Sequence, residues 1–236
     1  MTKRTTRLVL IATVLLAVVI GGGITMNKVR SSSWQEKFDI SNCNMVTTGR
    51  NPFFIMEPGY RLEYAGDDAK LHIAVLDETK MVDGVVTRVI EEREWKDGAL
   101  YEVARNFFAM CESTKDVYYF GEEVDFYENG KIVRHDGSWL AGKDGNKAGL
   151  IMSGAPKVGM KYYQEVAPGV AMDRAEIISL DETCKTPAGT FSKCLKIKEG
   201  TALNILETEY KYYAPGIGLI GDGDLRLTKY GSVPKK

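Results

Sequence analysis

The four residues Leu-Asp-Glu-Thr occur twice in this chain, beginning at Leu76 and again at Leu180. A strand-like run precedes each copy, and a glycine-bearing turn and another strand-like run follow it. Each copy then ends on an aromatic pair and an alanine, Phe107-Phe108-Ala109 and Tyr212-Tyr213-Ala214. Five such landmarks keep the same order at an offset of about 100–105 residues, which indicates an internal duplication.

This duplication predicts the architecture. Repeat one covers about residues 57–110 and repeat two about residues 157–216, and a glycine-rich linker lies over residues 137–154. Alternating runs have the two-residue period of strands, and Asp97-Gly98 and Asn129-Gly130 are strong hairpin signals. Since the strands of one copy would leave an apolar face uncovered, we expect the two copies to share one core. The predicted fold class is all-β: an antiparallel curved sheet or partly open barrel built from two tandem repeats, in one domain over residues 51–230.

The repeated Leu-Asp-Glu-Thr segments are themselves interpreted as structural. Asp and Thr suit the end of a strand that enters a turn, where Asp can bond its own backbone. A catalytic carboxylate pair is the alternative. It is disfavoured because adjacent Asp and Glu side chains on a strand point to opposite faces of the sheet.

The N-terminus carries an export or membrane signal. Lys3, Arg4 and Arg7 precede an uncharged apolar run over residues 8–24, which predicts a hydrophobic helix. Residues 1–26 are therefore a cleaved signal sequence or a retained membrane anchor, and residues 27–50 a tether. The run exceeds the roughly 7–15 residues of a signal-peptide core, which favours the anchor. The positive residues before it place the rest of the chain outside the cytoplasm, in the periplasm or on the extracytoplasmic face of the inner membrane.

Four cysteines, Cys43, Cys111, Cys184 and Cys194, fit an exported chain. An even number predicts disulfides, and four cysteines allow three pairings. Cys184 and Cys194 flank a turn signal, and a five-residue loop over residues 187–191 would place them opposite each other on two strands. A disulfide between Cys184 and Cys194 is therefore the predicted pairing, and two free buried thiols are the alternative.

Several classes of function are disfavoured by composition and motifs. The net charge is -1 with both signs mixed, so there is no basic stripe for nucleic acid. The two histidines, His72 and His135, and the cysteine spacing predict no metal site, and no cofactor is predicted. Neither a Gly-x-Ser-x-Gly elbow nor a phosphate-binding P-loop occurs. We therefore expect a protein without catalytic residues that is not an enzyme.

Aromatic clusters provide the candidate binding residues. Adjacent aromatics on a strand point to opposite faces, so one member packs in the core and the other can line a concave pocket if the sheet curls. The alternative, which the pattern alone favours, is that these aromatics serve only the core. The candidate ligand-binding residues are Phe107, Tyr119, Tyr163 and Tyr212. Two functions remain open: binding of a lipid or other apolar ligand, or a structural role in which the sheet docks a protein partner of the cell envelope.

Part of the sequence resembles a known group of proteins. Pro187-Ala188-Gly189-Thr190-Phe191, Cys194 and the run from Tyr212 to Leu219 are similar to TapB-like exported bacterial proteins, as are Pro52-Phe53-Phe54 and Pro58-Gly59-Tyr60. The resemblance covers roughly residues 50–220 and implies a fold, without catalytic residues to carry over. By looser analogy, the curled sheet is similar to LolA and LolB carriers, which hold acyl chains. The chain departs from the group in its additional Cys184 and in having no lipidation cysteine.

Overall fold

The computed structural model describes residues 33–233. The predicted signal sequence or anchor, with its helix, lies outside these residues. Every regular element from residue 33 to residue 233 is a β-strand, which confirms the all-β prediction. Within this part of the chain, no helix is long and apolar enough to cross a membrane.

The strands form two long meanders with short strands before and between them. The short first strands are β1 (Met45–Val46), β2 (Arg50–Asn51) and β3 (Phe54–Ile55). The first meander comprises β4 (Tyr60–Ala65), β5 (Ala69–Val82), β6 (Val85–Lys96), β7 (Ala99–Cys111) and β8 (Val117–Glu128). Five short strands follow: β9 (Lys131–Arg134), β10 (Trp139–Leu140), β11 (Lys147–Met152), β12 (Lys161–Tyr163) and β13 (Glu165–Val166). The second meander comprises β14 (Asp173–Thr186), β15 (Gly189–Thr201), β16 (Thr208–Ala214), β17 (Gly218–Asp222) and β18 (Leu225–Ser232).

The two meanders join into one antiparallel sheet that nearly closes on itself. β18 pairs with β4, so the last strand of the chain connects the second meander to the first. At the other side, β11 pairs with β13 and β12 pairs with β14. Because only Gln164 separates β12 from β13, the two ends of the sheet meet at this residue. The result is a barrel-like sheet, which confirms the prediction of a curved sheet or partly open barrel.

A glycine permits the close approach at this seam. A Cβ atom added to Gly149 on β11 would lie 2.2 Å from the carbonyl oxygen of Gln164. No real Cβ atom tolerates such a distance to backbone, so a side chain at residue 149 would push the seam apart.

Tight turns set the register of the hairpins. Asp97 and Gly98 both have positive φ, 51° and 78°, and connect β6 to β7 in a two-residue turn. Asn129 and Gly130 connect β8 to β9 in the same way. These conformations match the right-handed twist of the flanking strands. Both hairpins predicted from the sequence are confirmed.

The repeated Leu-Asp-Glu-Thr segments lie inside strands rather than at their ends. The first falls in β5 and the second in β14, both of which are 14 residues long. Each coincides with a shift in strand register, between Val75 and Thr79 and between Ser179 and Glu182. The strand-end interpretation was therefore wrong. Both segments form β-bulges, which bend a strand and turn backbone groups out of the ladder.

The first bulge binds a buried arginine. The Arg88 guanidinium donates hydrogen bonds to the carbonyl oxygens of Leu76 and Glu78 at 3.1 and 3.2 Å, and lies 3.5 Å from the Asp77 carboxylate. It also donates to the Thr47 carbonyl oxygen at 2.8 Å. The carbonyl oxygens that leave the strand ladder at the bulge thus accept hydrogen bonds from Arg88, which is only 6% exposed.

The disulfide joins Cys43 to Cys111, with 5.1 Å between their Cα atoms. Cys184 and Cys194 are free thiols in this structure, so the predicted pairing of Cys184 with Cys194 was wrong. The loop between them is also shorter than predicted: Thr186 pairs with Gly189, which leaves a two-residue turn instead of five residues. Cys184 then lies opposite Phe191, and Cys194 opposite Glu182.

The described part of the predicted tether packs on the barrel. β1 pairs with the end of β7, and the Cys43–Cys111 bond fixes the same contact. Gln35 forms a parallel bridge with Tyr162, and the Trp34 ring lies edge-on to Tyr163 at 6.3 Å. Residues 33–50 therefore cover two strands of the sheet.

Candidate ligand-binding site

The barrel encloses a cavity of about 640 Å³. Its lining follows the two-residue period of the strands. β6 contributes Ile90 and Glu92, and β7 contributes every second residue from Glu102 to Phe108. Side chains that alternate along a strand lie on one face, so these residues all point into the barrel.

One end of the cavity is apolar. The short hairpin β2–β3 lies there, and its turn bonds to the β16–β17 turn through the Gly216 amide and the Pro52 carbonyl oxygen at 2.7 Å. Phe54 packs edge-on against Phe108, with 5.2 Å between ring centroids. The aromatic and aliphatic side chains at this end are Phe53, Phe54, Ile55, Tyr60, Leu62, Val75, Phe108, Ile217 and Leu219.

Carboxylates concentrate toward the opposite end. There the turns β4–β5, β6–β7 and β17–β18 lie at the mouth of the barrel, and Glu92, Glu102 and Asp222 lie within a few residues of those turns. Eight carboxylates line the cavity, and Lys211 is the one basic residue among the described lining residues. The acidic residues are Glu92, Glu102, Glu122, Glu165, Asp173, Glu199, Glu207 and Asp222.

Lys211 is held by its acidic neighbours. Its Nζ lies 2.8 Å from Glu199 Oε2, 3.6 Å from Asp222 Oδ2 and 3.9 Å from Glu209 Oε1. Glu199, only 7% exposed, also accepts a hydrogen bond from Gln164 Nε2 at 2.7 Å. Burial lowers the pKa of Lys211, but attraction to Glu199, Asp222 and Glu209 outweighs it and holds that pKa well above its ordinary value.

Three glutamates in the cavity resist ionisation. Burial raises the pKa of Glu92 to about 7, and repulsion from Asp222, Glu102 and Glu199 adds to the shift against the attraction of Lys211. Burial also raises the pKa of Glu122 to about 8, and that of Glu165 well above its ordinary value. All three side chains line the cavity and are half-buried. Burial therefore favours the protonated form of each of these glutamates.

Two nearly buried polar side chains face the cavity with unpaired atoms. Asn106, 4% exposed, accepts a hydrogen bond from the Tyr119 hydroxyl through Oδ1, and its Nδ2 has no partner among residues 33–233. Tyr213, 6% exposed, has a hydroxyl without a hydrogen bond in the same part of the chain. Buried polar groups are normally paired, so both atoms are available to a molecule in the cavity.

Of the four aromatic residues predicted to bind ligand, Tyr119 lines the cavity. Its ring stacks on Phe108 at 4.6 Å between centroids. The lining does not include Phe107, Tyr163 or Tyr212. Phe107 is buried on the other face of β7, beneath Lys80. Tyr163 contacts Trp34, and Tyr212 lies near Lys196 on the outer face.

The neighbours of those three residues, Phe108, Gln164 and Tyr213, line the cavity instead. The pattern of adjacent aromatics predicts that the two members face opposite sides, but it does not say which side becomes the interior. Sequence reasoning also missed the carboxylates. Their spacing could have indicated them, because Glu92 lies two residues from Ile90 and Glu102 two residues from Ala104, on the same face of each strand.

The mouth itself is acidic. A second cavity of about 680 Å³ adjoins the first and shares Glu92, Glu102 and Asp222 with it. Nine carboxylates line this second cavity, against Lys96 as its one basic residue among those described. Four of the nine belong to the turns at the mouth: Asp67, Asp68, Asp97 and Asp224. A continuous acidic surface thus leads from the mouth to Glu92.

The acidic side chains are not arranged as a metal site. Among the residues that the structure describes, no group of three or more His, Cys, Asp or Glu side chains is placed to hold a metal ion. The carboxylates are distributed around the barrel wall.

Comparison with known protein families, with curated proteins and with solved structures found no match for this chain. The resemblance to TapB-like proteins, and the analogy to LolA and LolB, stay predictions from the sequence.

Proposed function

We propose that this chain is a non-enzymatic protein of the cell envelope that binds a lipid or other apolar ligand inside its barrel. The observation that carries the proposal is the cavity of about 640 Å³ with an apolar, aromatic end. Ligand pockets commonly measure about 300–1,000 Å³ and are lined mainly by apolar side chains with a few polar groups. A barrel that served only as a scaffold would fill this space with side chains.

The proposed location rests on two observations. The apolar run over residues 8–24 with its preceding basic residues is typical of an export signal or anchor. The Cys43–Cys111 disulfide favours an oxidising compartment. We therefore propose the periplasm or the extracytoplasmic face of the inner membrane, with the membrane as a partner through the N-terminal segment.

The pattern of pKa values favours binding over catalysis. Carboxylates with perturbed pKa values also occur in active sites, where an acid and a base have pKa values that are pushed apart. In this cavity, burial shifts the pKa values of Glu92, Glu122 and Glu165 in the same direction, upward. One environment acting alike on all three glutamates does not divide them into an acid and a base.

The test is a titration of residues 32–236, which form a compact unit of their own. The neutral apolar dye N-phenyl-1-naphthylamine is expected to bind saturably, with a rise in fluorescence. Ala104 faces the cavity, so Ala104→Trp should weaken binding at least about tenfold. Arg105→Trp, on the other face of β7, is the control and should leave binding unchanged. Absence of saturable binding, or equal effects of the two variants, would contradict the proposal.

A second candidate, docking of an envelope partner, has one specific observation in its favour. The β15–β16 loop exposes three apolar side chains, Leu203, Ile205 and Leu206, at 53%, 72% and 88% of their surface. Exposed clusters of this kind mark interaction sites. Replacing Ile205 and Leu206, which do not line the cavity, by serine should abolish co-purification of a partner and leave dye binding intact if this function is correct.

A further inference from the structure

The charge balance of the cavity indicates which apolar ligand the barrel binds; this step rests on the proposed function. Eight carboxylates and one lysine line the enclosed space. Charges that protein atoms largely surround are costly unless they are paired, because burial removes part of their hydration. The protein alone therefore leaves the cavity with an excess of acidic groups that it does not neutralise.

Lys211 does not correct this excess and does not serve as an anchor for an anionic ligand. Its ammonium group already lies within 4 Å of Glu199, Asp222 and Glu209. An incoming carboxylate or phosphate would have to compete with those three partners and would meet the remaining glutamates. Anionic ligands such as fatty acids are therefore disfavoured.

Unpaired groups show where a ligand would bind. Glu92 and Glu165 form no ion pair or hydrogen bond through their carboxyl groups with residues 33–233, and both line the cavity. The Tyr213 hydroxyl faces the same space and has no hydrogen-bond partner among the described residues. The Tyr213 side chain is only 6% exposed. The carboxylate oxygens accept hydrogen bonds and the Tyr213 hydroxyl can accept one, which suits a ligand that donates several N–H bonds, while the Asn106 amide is the one unpaired donor described above.

The two ends of the cavity define the orientation. The acidic groups lie toward the mouth, and the side chains of Phe54, Phe108 and Leu62 lie at the far end. The second cavity extends the acidic surface to the turns at the mouth. A passage lined by one sign of charge raises the local concentration of the opposite charge, so a cation is guided inward.

We propose that the ligand is an amphipathic amine, whose ammonium group lies among Glu92, Glu122 and Glu165 and whose apolar tail extends toward Phe54 and Phe108. The ammonium pairs with carboxylates of this set. The tail replaces water along the apolar wall.

The raised pKa values of the three glutamates agree with this arrangement. Burial is the main cause of each shift, so a cation placed beside these groups would favour their ionised forms and lower their pKa values. Binding of the amine is thus expected to release protons near neutral pH.

The experiment compares three probes with the same twelve-carbon chain: dodecylammonium, dodecanol and dodecanoate. Each displaces N-phenyl-1-naphthylamine from residues 32–236 at pH 8.5, below its micelle concentration. We expect dodecylammonium to bind at least about tenfold more tightly than dodecanol, and dodecanoate to bind most weakly. The double variant Glu92→Gln/Glu122→Gln should lose the preference for dodecylammonium and should bind dodecanol as tightly as the original protein does. Glu128→Gln, which changes an exposed carboxylate, is the matched control.

The outcomes separate this inference from the proposed function. If dodecanol or dodecanoate binds as tightly as dodecylammonium, the amine is refuted and apolar binding stands. If the double variant keeps the full preference for the amine, the assignment of the ammonium site is refuted. If none of the three probes nor the dye binds, the proposed function fails as well.

Discussion

The burial of Glu92 in the acidic cavity predicts that its ionised form destabilises the folded protein at high pH. Burial raises its pKa from 4.5 to about 7. The folded protein therefore binds this proton more tightly than the unfolded chain does. The stability that results is fully present below about pH 4.5 and is lost as the pH rises through about 7.

The substitution Glu92→Gln removes the ionisable group and keeps the shape of the side chain. Each pKa unit corresponds to about 1.4 kcal/mol, so ionising Glu92 in the fold costs about 3 kcal/mol at pH 8.5. At pH 8.5 we expect the variant to have a higher free energy of unfolding than the original protein. The increase should be at most about 3 kcal/mol, because the half-buried carboxylate keeps part of its hydration. At pH 4.5 the two proteins should differ little.

The assay is urea unfolding followed by tryptophan fluorescence, at pH 4.5 and pH 8.5, on residues 32–236. Glu128→Gln is the control, since its carboxylate is exposed, and should change neither value appreciably. A Glu92→Gln variant that is less stable than the original protein at pH 8.5, or equally altered at both pH values, would refute the buried, uncompensated position of this carboxylate.

Three further predictions concern the fold. The buried Tyr162 hydroxyl has no hydrogen-bond partner within residues 33–233, so Tyr162→Phe should raise the free energy of unfolding by about 1 kcal/mol. Tyr64→Phe, which loses a 2.9 Å hydrogen bond to the Leu219 carbonyl oxygen, should lower it by about 1 kcal/mol. Gly149→Ala should lower the free energy of unfolding by about 3 kcal/mol, because its Cβ would push the seam apart. Gly66→Ala, where the atom nearest to the added Cβ is 3.4 Å away, should lower it less, and denaturant unfolding measures both changes. The denatured, unreduced chain should contain two titratable thiols and the reduced chain four. Breaking the Cys43–Cys111 disulfide, which spans 68 residues, should lower the free energy of unfolding by about 4 kcal/mol. Four thiols before reduction would contradict the disulfide.

Local signals in the sequence predicted much of the fold. Asp97-Gly98 and Asn129-Gly130 form the expected hairpins because positive φ at both turn residues is a local requirement. The two-residue period identified the strands, and the need to cover their apolar faces predicted a shared, curved sheet. Both Leu-Asp-Glu-Thr segments lie at bulges in long strands, but the duplication itself stays a prediction.

The errors arose where pairing between distant residues decides the outcome. The Cys184–Cys194 prediction assumed a five-residue loop, but the turn has two residues, and the two cysteines lie diagonally across β14 and β15 with their thiols still in contact. Cys43 pairs with Cys111 because residues 33–50 pack on β7, and no local signal reports such a contact.

The candidate site was only partly predictable for a similar reason. Tyr119 lines the cavity, but the choice between Phe107 and Phe108, or between Tyr212 and Tyr213, depends on which face of the sheet turns inward. The acidic lining looked like ordinary exposed charge, because the closure of the barrel that buries Glu92 and Glu165 depends on contacts between strands far apart in the chain.

The central claim is that the cavity holds an apolar ligand, and native mass spectrometry tests it most directly. The protein would be isolated from the envelope of its own host and measured intact and after denaturation. We predict an added mass that disappears on denaturation and belongs to an apolar molecule carrying an amine. A bare chain mass in both states, together with no uptake of dodecylammonium or dodecanol, would contradict the claim and favour a scaffold that acts through a protein partner.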